Sequence, residues 1–108
     1  MPLSPMMLTD ICNAVKAGRV LWKKHALERM MERAISRSHV KQAILQGSII
    51  EYYPDDYPVP SILLATIQPL PLHAVVAYDA ESQQCHVITA YRPNLTHFEA
   101  DLIMRRLL

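Results

Sequence analysis

Hydrophobic positions change their period near Gly47 and again near Asn94. Before the first change, apolar residues recur at helical spacing; after it, they alternate or run together as in strands. Ile11, Ala14, Val15 and Gly18 form one apolar stripe, which predicts a first helix over about residues 8–18. Thr9 is placed to cap its start and Gly18 to end it. "RVLWKK" reads as a short extended segment feeding a second helix, whose periodicity starts at His25. In that helix Met30 and Met31, with Leu27 and Ala34, are expected to dock on a sheet. Ser36 suits the N-cap of a third helix, "RSHVKQAILQ", closed by Gly47.

Past Gly47 the chain is β-branched and aromatic. "SIIEYY", "SILLATI", "LHAVVAYD" and "QCHVITAY" predict four strands, with "PDDYPVP" and "QPLP" as breaks and "AESQ" as a hairpin. "NLTHFEADLIMRRLL" returns to helical spacing. Helices followed by a run of strands predict a single α+β domain over residues 1–108, with helices packed on a mostly antiparallel four-stranded sheet.

The composition agrees: 51% hydrophobic and 19% charged residues in 108 describe a chain that folds into one core. No apolar run reaches the roughly 18–20 residues that span a bilayer, and "MPLSPMML" has no basic segment before an apolar one. Neither a membrane association nor a secretory signal is expected. Cys12 and Cys85 belong to no C-x-x-C pair, so both read as small core residues in a reducing cytoplasm. His73, Cys85 and His86 match no standard ligand spacing, and no metal or other cofactor is expected.

The net charge of +1 hides an asymmetry. Residues 1–50 hold eight Lys/Arg against three Asp/Glu, a net of +5; residues 51–108 hold three against seven, a net of −4. One face suited to an anionic partner is one reading of this split, and scattered surface charge is the other.

Candidate chemistry lies in three places. On a helix, residues four apart share a face, so His25, Arg29 and Arg33 form one column beside Glu28 and Glu32. Such a column is either a solvated surface with intrahelical pairs or a set of groups meeting a phosphodiester, for which arginine brings a fixed fork of donors and histidine a proton near neutral pH. His73 opens an otherwise apolar strand and reads either as a hydrogen-bonded core residue or as a proton carrier. Tyr91 and Arg92 precede Pro93, which ends a strand, and an aromatic next to an arginine can stack a base and hold a phosphate. Lys23 and Lys24 precede the column, and Arg105 and Arg106 close the last helix, where they also suit its dipole. The chain has two glycines, at unrelated positions, and so no phosphate loop; G-x-S-x-G and H-E-x-x-H are also missing.

"H-A-L-E-R-M-x-x-R-x-I-S", "G-S-I-I-E" with "Y-P" and "P-S-I-L-L", "P-L-H-A-V-V" with "V-I-T-A-Y-R-P", and "F-E-A-D" occur here in that order. With them, over about residues 22–106, the chain resembles the prokaryotic domain-of-unknown-function family forty-two fifty-eight, which looks related to the RelE/ParE/BrnT-type toxins. The resemblance implies a RelE/ParE toxin-like fold and a toxin of a type II toxin–antitoxin system. It implies a metal-independent endoribonuclease with RNA, ribosome-associated or free, as substrate, and a small antitoxin of zinc-ribbon type as partner. Carried onto this chain, His25 or His73 would be general base or acid, with Arg29 at the phosphate and Tyr91 beside it as the catalytic set. Arg33, Arg92, Arg105, Arg106, Lys23 and Lys24 would bind the nucleic acid. RelE-type toxins are usually strongly basic, and this chain is nearly neutral. The rival expectation is a non-catalytic module binding protein or nucleic acid, with "YPVPSILLATIQPLPL" offering a strand to a partner. A homodimer is a further option.

Overall fold

The first helix starts earlier than its apolar stripe. In the computed structural model, which describes residues 5–56, 59–67 and 70–93, helix α1 spans Pro5–Lys16. Thr9, expected as its cap, lies within it. Ile11, Ala14 and Val15 are buried as the stripe requires. The helix ends in a Schellman motif: Arg19 N–H donates to Ala14 C=O (2.8 Å) and Gly18 N–H to Val15 C=O (3.1 Å). Gly18 takes the left-handed conformation this motif needs, at φ +80°.

Strand β1, Val20–Trp22, leads into α2, Lys24–Glu32, and α3 follows at Arg37–Gln46. The Ser36 hydroxyl accepts from His39 N–H (3.0 Å), the cap expected of it. Gly47 follows α3 for a different reason from Gly18. Its φ is −80°, but a Cβ would lie 2.3 Å from Ala43 O and 2.8 Å from Ala65 O, so helix and strand meet where no side chain fits.

Four strands then follow: β2 (Ser48–Tyr53), β3 (Ser61–Thr66), β4 (Leu72–Asp79) and β5 (Gln84–Tyr91). The sheet order is β1-β5-β4-β3-β2, antiparallel except where β1 runs parallel to β5. The expectation of four strands is thus corrected to five in a mixed sheet. The fifth comes from "RVLWKK": among the described residues its three strand residues pair with β5, across more than sixty residues of sequence, and they carry no strong strand pattern of their own.

Alternation assigns the two faces. Ile62, Leu64, Leu72, Ala74, Val76, Cys85, Val87 and Ala90 join Ile11, Ala26, Met30, Val40 and Ile44 in one core under the helices. Ser61, Leu63, Ala65, His73 and Ala77 point the other way and are still at most 3% exposed. Both faces of the central strands are therefore covered, which explains why "SILLAT" is a continuous apolar run. This segment lies between β2 and β4, so it is core and not the free strand that one reading of it required.

Cys85 is buried and Cys12 half-buried, its thiol directed at Ile44 C=O (3.8 Å). No helix among the described residues is long and apolar enough to cross a membrane.

Candidate functional site

Helix α2 lies along β5 and is anchored by Ala26 and Met30, four residues apart and at most 2% exposed. The docking face differs from the expected one: Met31 is 84% exposed and Ala34 exposed, while Leu27 is half-buried. A 100° step per residue allows only one of two adjacent methionines to face the sheet, and Met30 takes that place.

The outer face of α2 pairs with itself. His25 Nδ1 lies 3.5 Å from Glu28 and Arg29 Nη1 3.3 Å from Glu32, both pairs strongly exposed. The Arg29–Glu32 pair contributes roughly 0.2–1 kcal/mol and partly cancels the column's charge. The column does not continue to Arg33, which sits at the C-cap, outside the helix.

Past that cap the chain turns in a second Schellman motif, with Ile35 N–H on Met30 C=O (2.8 Å) and Ala34 N–H on Met31 C=O (3.3 Å). Buried Ile35 and Met30 supply the apolar contact that accompanies it. The left-handed position is held by Ala34, at φ +55°, where glycine would be at ease.

This turn brings the arginines to the end of β5. Arg33 Nη1 donates to Ala90 C=O (2.8 Å), and Arg92 returns two bonds, Nη1 to Arg33 C=O and Nη2 to Ala34 C=O (3.1 Å). The two guanidiniums thus clamp the helix end to the strand end. Five N–H groups per guanidinium exceed the number these bonds use.

Beside the clamp, Tyr91 pairs with His73 across β5 and β4. Their ring centroids are 5.4 Å apart at 62°, an edge-on contact. Tyr91 is half-buried; His73 is fully buried, on the sheet face away from the helices.

Arg33, Arg92, Tyr91 and His73 therefore gather at one end of the sheet. His25 and Arg29 stay on the outer face of α2, and Lys23 and Lys24 lie at its start, where Lys23 N–H bonds Val87 C=O (3.2 Å). Eight residues of helical rise, about 12 Å, separate His25 from Arg33, so the two meet different parts of an extended ligand. Arg105, Arg106 and the helix read around them fall outside the described residues.

Two features stand apart from the sites read in the sequence, where His86 is weighed only as a metal ligand. His86, opposite Leu21 and Ala77, is 9% exposed, and burial followed by the nearby Lys23 charge lowers its pKa, against the pull of Asp79. Trp22, Leu27 and Met31 line a groove whose only trace in the sequence is the exposed half of the Met30-Met31 pair.

Residues 22–92 match the family model described as "Domain of unknown function (DUF4258)", well over half of the chain. The chain belongs to this family. The matched span runs from Trp22, the last residue of β1, to Arg92 and so includes strands β2–β5 and the clamp; α1 precedes it. No curated protein and no solved structure matches the chain.

Proposed function

We propose that this chain is the toxin of a type II toxin–antitoxin pair, a metal-independent endoribonuclease with a RelE/ParE-like fold that acts on RNA at the end of β5. The observation that carries this reading is the reciprocal Arg33–Arg92 clamp beside Tyr91 and His73. Cleavage by a ribose 2′-hydroxyl needs fixed cations where negative charge grows on the phosphate, and guanidiniums held by backbone carbonyls meet that need without reorganising. Tyr91 offers a ring to a base or a hydroxyl to the ribose, and His73, edge-on to it, holds its position. His25 and Arg29, with Lys23 and Lys24, meet the strand further along α2. The place of action is the cytoplasm, the RNA ribosome-associated or free, and the inhibitor a small antitoxin of zinc-ribbon type.

A second reading, a non-catalytic module that binds nucleic acid or protein, is favoured by the complete burial of His73, the histidine at the clamp. One experiment separates the two. The purified chain is incubated with labelled RNA in a chelator, and the wild type is compared with Tyr91→Phe, His73→Ala, Arg92→Ala and His25→Ala, each checked for folding. Cleavage that Tyr91→Phe and Arg92→Ala abolish supports the nuclease. RNA retained uncut, and released by Arg92→Ala, supports the module. A chain that neither binds nor cuts RNA, and slows growth no differently when mutated, refutes the RNA reading.

A further inference from the structure

The opposite end of α2 carries an unfilled edge. Strand β1 closes the sheet, and its bonds to β5 alternate: Cys85 N–H donates to Arg19 C=O (3.0 Å) and Lys23 N–H to Val87 C=O (3.2 Å). In a parallel ladder this turns the N–H and C=O groups of Arg19, Leu21 and Lys23 towards β5 and those of Val20 and Trp22 outwards. Among the described residues no strand lies beside them.

A groove of about 480 Å³ adjoins this edge, with Trp22, Leu27 and Met31 as its apolar wall and Lys24, Glu28 and Glu32 as its rim. Trp22 points to the helix side of the sheet, where a strand added at the edge would also place alternate side chains. Met31, at 84% exposure, is an apolar side chain with no internal packing role.

The edge strand and its flanks are basic, while the groove's far rim carries Glu28 and Glu32. Residues 11–27 include Lys16, Arg19, Lys23 and Lys24 and no Asp or Glu. The Arg37 guanidinium stands 5.9 Å from the centre of the Trp22 ring. Helix α2 begins here with no acidic residue in its first turn and no side-chain cap, so the positive end of its dipole adds to the same field. On the far rim, Glu32 pairs with Arg29, and Glu28 lies 3.5 Å from His25.

We propose that this edge docks an extended, acidic segment of a partner protein. The segment adds as a strand beside β1, bonds the outward groups of Val20 and Trp22, and sets one large apolar side chain against Trp22, Leu27 and Met31. Acidic residues flanking that side chain meet Lys23, Lys24 and Arg37. The surface shares Lys23 and Lys24 with the path proposed for RNA along α2, but the bonds to β1 and the contacts to Trp22 and Met31 do not depend on whether the β5 end cuts RNA.

Trp22 is the chain's single tryptophan, so its fluorescence reports on the groove directly. A random peptide library is selected against the purified chain, and an enriched peptide is synthesised and titrated. The expected peptide alternates acidic residues with a large apolar one and shifts Trp22 emission saturably. It binds at least tenfold more weakly to Met31→Glu and to the Lys23→Glu/Lys24→Glu pair, with melting temperatures unchanged, and as well as before to Arg92→Ala. Three outcomes overturn the proposal: no enrichment, enriched peptides without acidic residues, or binding that leaves Trp22 emission and the Met31→Glu affinity unaltered. Single-stranded RNA that displaces the peptide and loses affinity in Met31→Glu as well overturns it too and makes the edge a nucleic-acid surface.

Discussion

Ala34 holds a conformation that its side chain opposes, and replacing it by glycine should strengthen the fold beside the arginine clamp. It sits at φ +55° after α2, in the same motif position that Gly18 fills at φ +80° after α1. The left-handed region costs a residue with a Cβ about 1–2 kcal/mol. Glycine gives back about 0.4–1 kcal/mol through the freer unfolded chain, which leaves a net stabilisation of about 0.5–1 kcal/mol for Ala34→Gly. At about 4–8 °C per kcal/mol for a domain of this size, Tm should rise by about 2–8 °C. Among the described residues Arg92 bonds the backbone carbonyls of Arg33 and Ala34, so the clamp survives the change. The reverse change, Gly18→Ala, meets no atom within 4 Å of the new Cβ and isolates the backbone effect, a loss of about 1 kcal/mol. Both are read by thermal circular dichroism and by the urea midpoint, with the slope unchanged. A lower or unaltered Tm in Ala34→Gly would refute the left-handed turn, and with it the path that brings Arg33 to Ala90.

Gly47→Ala should destabilise by at least about 2 kcal/mol, because its Cβ would press on the backbone oxygens of Ala43 and Ala65, and a urea midpoint equal to wild type would contradict that close approach. Burial, and then the neighbouring Cys12, push the Cys85 thiol up to about 12, so at a pH of about 8 a thiol reagent should leave Cys85 unmodified until urea unfolds the chain; prompt native labelling at Cys85, read by peptide mass, would contradict this. The His86 pKa is lowered from 6.5 by burial first and Lys23 second, so near and below pH 6.5 the unfolded chain binds more protons than the folded one. Stability should therefore be fully present above that pH and fall as pH drops below it, and His86→Gln should flatten the urea midpoint against pH between about 5 and 7. An unchanged slope would remove His86 as the cause.

The elements with strong local signals were legible. Ser36 caps α3 through its hydroxyl, "AESQ" makes the β4–β5 hairpin, and Tyr91 ends its strand before Arg92 and Pro93. Each follows from chemistry within a few residues. The exposed pairs of His25 with Glu28 and Arg29 with Glu32 were also open to reading, because helical spacing alone makes them neighbours. The choice between Met30 and Met31 was not, since it depends on how α2 is rotated against β5, and neither was the place of Thr9 inside α1.

The sequence by itself determined the class of the fold: period near 3.6 up to Gly47, strand-like runs after it, and the residue types able to meet a phosphate. Tertiary structure decided which of those residues meet. The Arg33 bond to Ala90 spans 57 residues and the returning bonds of Arg92 span 59 and 58. β1 became a fifth strand only by pairing with β5. Side-chain spacing along a chain carries the geometry of one helix or one strand, whereas a contact between two elements depends on packing that no single segment encodes.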